Sequence, residues 1–367
     1  MRPQNDKPGF KGGGSVDELT RAVVFDGALR VVRRSPPRPA DDEVVIRLRL
    51  AGVCNTDLEL MQGYKQFAGT LGHEFVGEVV EGPSEWLGRR VAGEINVSCG
   101  ACDMCRRGMP THCRARRVLG ILNYDGAWAD YFRLPVRNLV AVPESVPDEA
   151  AVFTEPLAAA CQILEAGVIR PSDRVVVLGA GKLGMLAAQV VRLLGVALAV
   201  VVRRERQAAL LEGWGIPAVA RDELPAGQAD VVVDCTGNAS GFADALELVR
   251  PRGAIILKST YTGLPEADLT RVVVDEFRVT GSRCGPFAPA LALLGQGLVD
   301  PLPLIDGRYP LDEAAQLWTS CAPRCAEDRA ATLARAARQP APLELSSALP
   351  GRRFSRRGPP AASGSVK

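Results

Sequence analysis

The sequence predicts a two-domain α/β protein: a β-rich domain of many short strands, followed by a doubly wound parallel sheet. Three observations carry that expectation. At 367 residues the chain exceeds what a single ordinary core organises. From Arg21 to about Pro147, short stretches of alternating apolar and polar residues are broken by Gly and Pro. From about residue 155 to 290, continuous Val, Ile and Leu runs alternate with helical segments, as strands covered on both faces do.

Residues 1–20, "MRPQNDKPGFKGGGSVDELT", are expected to be a flexible Gly-rich leader, since they lack the apolar stretch of a secretory signal. The first domain is placed at 21–154. Its segment "EVVIRLRLAGVC" alternates with period two, and "EFVGEVVEG", "RRVAGEI" and "LVAVP" repeat the character of half-buried strands. The second domain is placed at 155–290, with "DRVVVLGAGKLG", "LAVVV", "DVVVDCTG", "GAIILKS" and "FRVTGS" as its strands. Residues 322–367 turn to Ala, Pro, Arg and Ser, with six basic residues and one acid, Glu344, between Arg338 and Lys367; disorder is expected there.

Composition narrows the function classes. A hydrophobic fraction of 47%, a charged fraction of 23% and a net charge of +2 suit a soluble globular protein with no nucleic-acid partner. No apolar run approaches the roughly 20 residues that span a bilayer, so no membrane partner is expected. A reducing cytoplasm follows as the expected compartment, where clustered cysteines hold metal rather than disulfides.

Chemistry-bearing residues fall into three groups. Gly179, Gly181 and Gly184 stand at G-x-G-x-x-G spacing, with Lys182 and Leu183 between them, after a buried strand and before a helix. That context lets backbone N–H groups and the helix N-terminus approach a dinucleotide pyrophosphate. At the end of the next strand, Arg203 and Arg204 stand where NAD-specific sites usually carry an acid, which favours NADP over NAD; a solvated strand end is the alternative. Cys54 and His73, nineteen residues apart, offer a thiolate and an imidazole, two ligands of a catalytic zinc that needs a third and an open position. Taken singly, Cys54 reads equally as a core cysteine and His73 as a hydrogen-bonded interior residue. Cys99, Cys102, Cys105 and Cys113 crowd into fifteen residues, with a metal clamp and a redox centre as the competing readings.

Together, Gly-x-Cys-x-Thr-Asp at Gly52–Asp57, Gly-His-Glu at Gly72–Glu74, the four-cysteine segment, Glu-Pro-Leu-Ala at Glu155–Ala158 and the glycine turn resemble the zinc-dependent medium-chain dehydrogenases/reductases. The match runs from about Arg21 to about Asp312. The resemblance implies a GroES-like catalytic domain, a Rossmann domain and chemistry in the cleft between them. It implies two zinc ions per chain. The catalytic one takes Cys54, His73 and, as in the polyol, threonine and glucose dehydrogenase branches, Glu155, with Glu74 able to approach it. Asp57 matches the carboxylate that orients the ligand histidine. The four cysteines, in the lobe 95–115, match the structural zinc, which leaves His112 surplus. Thr56 matches the hydroxyl that accepts the alcohol proton. Glu59 stands where many members carry a relay histidine.

The implied activity is hydride transfer between an alcohol, polyol or sugar carbinol and NAD(P), in a homodimer or homotetramer. A threonine dehydrogenase and a non-catalytic, zinc-stabilised nucleotide-binding protein are the competing functions. Residues 291–321 are expected to return to the catalytic domain. The family closes with a further strand there, but "CAPRCAEDRAATLARAARQPAP" reads as containing none, which would weaken domain closure.

Overall fold

The run "RVVVL" is apolar at every position after Arg174 because its strand is covered twice. Val175 and Val177 join one core cluster, and Val176 and Leu178 join another on the opposite face. In the computed structural model, which describes residues 19–258, 260, 267–314 and 330–334, this strand lies inside a six-stranded parallel sheet. Its strands are Arg174–Leu178, Ala197–Val201, Ala218–Val219, Ala229–Asp234, Val249–Leu257 and Arg278–Gly281. Their spatial order is third, second, first, fourth, fifth, sixth, the doubly wound order of dinucleotide-binding domains. Among the described residues, no helix is long and apolar enough to cross a membrane.

The N-terminal half is β-rich, as its alternation predicts. A seven-stranded sheet is built on the long strand Glu43–Val53, which pairs antiparallel with Phe75–Glu81 and Tyr131–Pro135. Thr20–Phe25 pairs with Leu29–Arg34 and Gly69–Thr70 in a smaller sheet. Ile46, Leu48, Phe75, Trp128 and Phe132 fill this domain's core. A second cluster crosses between domains: Leu50, Val76 and Ala92 pack with helix Thr154–Glu165 and with Leu291 and Leu294 of helix Phe287–Gly295.

Past that helix the chain does return, since Ile305–Pro310 joins the first domain's sheet. The expected absence of a closing strand is overturned. Ala330–Ala334 forms one, parallel to Ile305–Pro310 and antiparallel to the end of Glu43–Val53, with Ala331 opposite Val53. Its sequence "AATLA" has weak intrinsic strand preference, and the pairing site supplies what propensity lacks. Thr332 and Leu333 are buried. The expected disordered tail 322–367 is therefore corrected at these five positions; its other residues, with 1–18 of the expected leader and 315–321 of the return segment, lie outside the described residues. Leu333→Asp buries a charge beside the strand that leads into Cys54. It should destabilise the protein by about 3 kcal/mol or more. Thermal unfolding of the variant checks this, and an unchanged midpoint would contradict the strand's role.

Candidate active site

Cys54 follows the long strand and caps helix Asn55–Met61, while His73 and Glu74 lie just before strand Phe75–Glu81. The Cys54 sulfur, a His73 ring nitrogen and a Glu74 carboxylate oxygen fall within 4.8 Å of one another. Asp57 fixes the two segments together from a fully buried position. Its Oδ2 accepts the Cys54 N–H at 2.9 Å, and its Oδ1 accepts the Gly72 N–H at 3.2 Å. Oδ1 also lies 3.4 Å from His73 Nδ1, which leaves Nε2 as the nitrogen for a metal. Burial alone would lower the His73 pKa, but the charges of Asp57 and Cys54 outweigh it and raise it. A buried site this rich in anionic groups suits a cation.

Glu155 stands in the first turn of helix Thr154–Glu165, half-buried, outside the three-residue set. Burial pushes its carboxyl up to about 7, with His73 opposing and Glu74 adding to the shift. Thr56 and Glu59 stand three apart on helix Asn55–Met61 and so share a face. Both are half-buried. Glu59 accepts from Asn55 Nδ2 at 2.9 Å, and burial raises its pKa against that bond.

The four-cysteine lobe brings its sulfurs equally close: Cys99, Cys102, Cys105 and Cys113 lie within 4.8 Å of one another. The backbone N–H groups of Arg114 and Cys105 hold the Cys102 thiol down at about 6, whereas burial pushes Cys105 up to about 11. Four thiols this close cannot all ionise without a cation, and such a set can hold one in a closed tetrahedron. His112 lies outside the set, with its Nδ1 3.1 Å from Thr111 Oγ1.

At the glycine turn, Gly179 has φ +91°, and a Cβ on Gly184 would strike the Gly179 carbonyl oxygen, so helix and strand meet as closely as they do only with glycine. Gly181 caps helix Lys182–Arg192, and Leu183 packs against the core. Arg203 and Arg204 are exposed just beyond strand Ala197–Val201.

Two residues, Gln207 and Lys258, escape sequence reasoning, and a third, Lys182, is read there but has a different partner. Gln207 Oε1 accepts the Arg203 and Arg204 N–H groups at 2.9 and 3.2 Å, and its Nε2 donates to the Ala180 carbonyl at 3.3 Å, which ties the second strand's end to the glycine turn. Lys258 is buried at the end of strand Val249–Leu257, where its Nζ donates to the Ser282 carbonyl and hydroxyl at 3.2 Å each. Burial lowers its pKa. A lone lysine closing the apolar run "GAIIL" was the available signal. Lys182 belongs by backbone to the glycine turn, as expected, but its ammonium turns away to Glu74, bonding Oε1 at 2.7 Å and Oε2 at 2.8 Å.

The model of the alcohol dehydrogenase GroES-like domain matches residues 40–144, and that of the zinc-binding dehydrogenase domain matches residues 183–295. The chain is 31% identical over 312 residues to a sorbitol dehydrogenase of Halalkalibacterium halodurans, covering 78% of this chain and 90% of that protein. It is 30% identical over 341 residues to an L-threonine 3-dehydrogenase of Caldanaerobacter subterraneus, covering 81% and 94%. Among solved structures, a protein from Sinorhizobium meliloti assigned as a zinc-binding dehydrogenase and bound to NADP superposes with a TM-score of 0.80. It is 27% identical and covers 87% of this chain and 100% of its own.

Proposed function

We propose that this chain, which belongs to the zinc-dependent medium-chain dehydrogenase/reductase family, oxidises a polyol or sugar carbinol at a zinc held by Cys54, His73 and Glu155. The coarser activity comes with the family: hydride transfer between an alcohol-type carbinol and NAD(P). The observation that supports the site is the contact between the Cys54–His73–Glu74 set and Lys182 of the glycine turn, which brings candidate metal donors next to the first residue of the turn's helix.

Zinc, when bound, supplies a Lewis acid for the substrate oxygen. Around it, Asp57 holds His73 in the tautomer that presents Nε2. The Thr56 hydroxyl accepts the alcohol proton, and Glu59, with its pKa raised by burial, passes it toward solvent. Glu155 is favoured over Glu74 as the third donor because both Glu74 oxygens are committed to Lys182. Cys54 and Glu155 then balance the charge of the metal. Glu155→Ala should lose the catalytic zinc and turnover while keeping dinucleotide affinity. Metal analysis and single-turnover rates check this, and an alanine variant with two zincs and near-normal turnover would remove Glu155 from the site.

A second zinc in the Cys99, Cys102, Cys105 and Cys113 lobe makes two per chain, and metal counting tests that number. NADP is the proposed cofactor, with Arg203 and Arg204 toward its 2′-phosphate. Arg203→Asp should shift preference toward NAD by roughly tenfold or more, about 1.4 kcal/mol. Equal use of both cofactors by the unaltered protein would contradict it. A homodimer or homotetramer in a reducing cytoplasm completes the reading. Exposed Leu269, Val273 and Val274, just before the edge strand Arg278–Gly281 in sequence, support assembly. The similarity to an L-threonine 3-dehydrogenase favours one second reading, threonine as substrate. A turnover screen of alcohols, polyols, aldoses and threonine with both cofactors separates the two.

A further inference from the structure

Lys182 opens helix Lys182–Arg192 at the dinucleotide turn, yet its side chain leaves the turn and enters the metal set. The ammonium lies 2.7 and 2.8 Å from the two oxygens of Glu74 and 3.2 Å from the carbonyl of Val53, the residue before Cys54. The two side chains are only 12% and 3% exposed. Gly52 completes the seat. A Cβ there would strike Oε2 of Glu74 and lie 2.9 Å from its Cβ, so the missing side chain makes the room that the carboxylate fills. Two independent features, a bidentate ion pair and a shaped hollow, hold Glu74 on an ammonium although it stands beside Cys54 and His73.

We propose that Lys182 is a positioning residue that withholds Glu74 from the catalytic zinc and so keeps one coordination position open for the substrate oxygen. This rests on the zinc reading of Cys54, His73 and Glu155. Those three donors leave a tetrahedral ion one free position; Glu74 as a fourth would close it, as the four thiols close the structural site. A buried ion pair resists losing one partner, because the other charge is left uncompensated in a dry site. Lys182 thus also keeps an anionic donor beside the metal without letting it bind.

The test uses the full-length protein. In Lys182→Met, Glu74 is released to the metal. The catalytic zinc should be held at least tenfold tighter in chelator competition, and turnover should fall at least tenfold. With cobalt(II) in the catalytic site, imidazole should perturb the visible spectrum of the unaltered protein and not that of the variant. Adding Glu74→Gln should restore both the zinc affinity and the imidazole response. Gly52→Ala keeps the lysine but evicts Glu74 from its seat, and it should reproduce the tighter zinc and the silent spectrum if the Met variant fails to fold. Zinc affinity equal to or weaker than the unaltered protein's, an imidazole-responsive cobalt spectrum in the variant, or no reversal by Glu74→Gln overturns the inference. No loss of metal when Cys54 is replaced by alanine would instead overturn the zinc reading beneath it.

Discussion

Cys54→Ala should leave a folded protein with one zinc per chain and turnover lowered by roughly a thousandfold or more, about 4 kcal/mol of transition-state stabilisation. The large effect follows from what the thiolate does in the set. Cys54 and His73 are the two donors on opposite sides of the Asp57 bridge, and an imidazole with one carboxylate does not replace the lost anionic sulfur. The small structural effect follows from how Cys54 caps its helix. Asp57 Oδ2 accepts the backbone N–H of residue 54, a bond that alanine keeps. The dinucleotide turn at Gly179–Gly184 is built from other segments, so cofactor affinity should stay within a few fold. Elemental analysis, single-turnover hydride transfer and dinucleotide titration on the same preparation decide the matter. Two zincs and turnover within tenfold of the unaltered protein would take Cys54 out of the site.

What could be read from the sequence was local. The parallel strands announce themselves because both faces are covered, so every residue of "VVVL" from Val175 to Leu178 must be apolar. The glycine turn is readable because backbone conformation and helix–strand contact both demand glycine, at Gly179 and at Gly184. The cysteine lobe is readable because four donors within fifteen residues can converge with little help from the rest of the chain. What stayed hidden depends on segments far apart in sequence. Strand Ala330–Ala334 exists because Leu50–Val53 offers it an edge, and nothing in "AATLA" itself foretells that. The direction of Lys182 is decided by Glu74, 108 positions away, and by the absence of a side chain at Gly52. Residue type marked Glu74 and Glu155 alike as donors; the fold distinguishes them, since Glu74 stands within the Cys54–His73 set but has both oxygens bonded to Lys182, whereas Glu155 stands outside that set.

Cys102→Ser should remove one zinc per chain and lower stability by about 3 kcal/mol, a fall of roughly 6–12 °C in Tm, while the catalytic donors stay in place. The lobe has little else to hold it. Its only strands are Asn96–Val97 and Arg117–Val118, two residues each, and between them Cys113 is the one buried hydrophobic residue. Its other ties include polar ones: Arg114 pairs with Asp103 at 2.7 and 2.8 Å on the exposed surface, Arg137 donates to the Ser98 carbonyl at 2.7 Å, and Arg116 and Arg283 donate to the Thr111 carbonyl at 2.8 and 2.5 Å. Such contacts orient a loop that already has a shape, whereas a closed tetrahedral ion imposes one. Serine matches cysteine in size but not in charge. The N–H groups of Arg114 and Cys105 lower the pKa of the Cys102 thiol and so favour the thiolate a metal needs, whereas a serine hydroxyl there stays neutral. His112 stands outside the sulfur set, with its Nδ1 3.1 Å from Thr111 Oγ1. The expected pattern is therefore lost zinc, lower Tm and retained catalytic metal, read by elemental analysis and thermal unfolding together. Full zinc content with an unchanged Tm would mean that the lobe holds its shape without the ion.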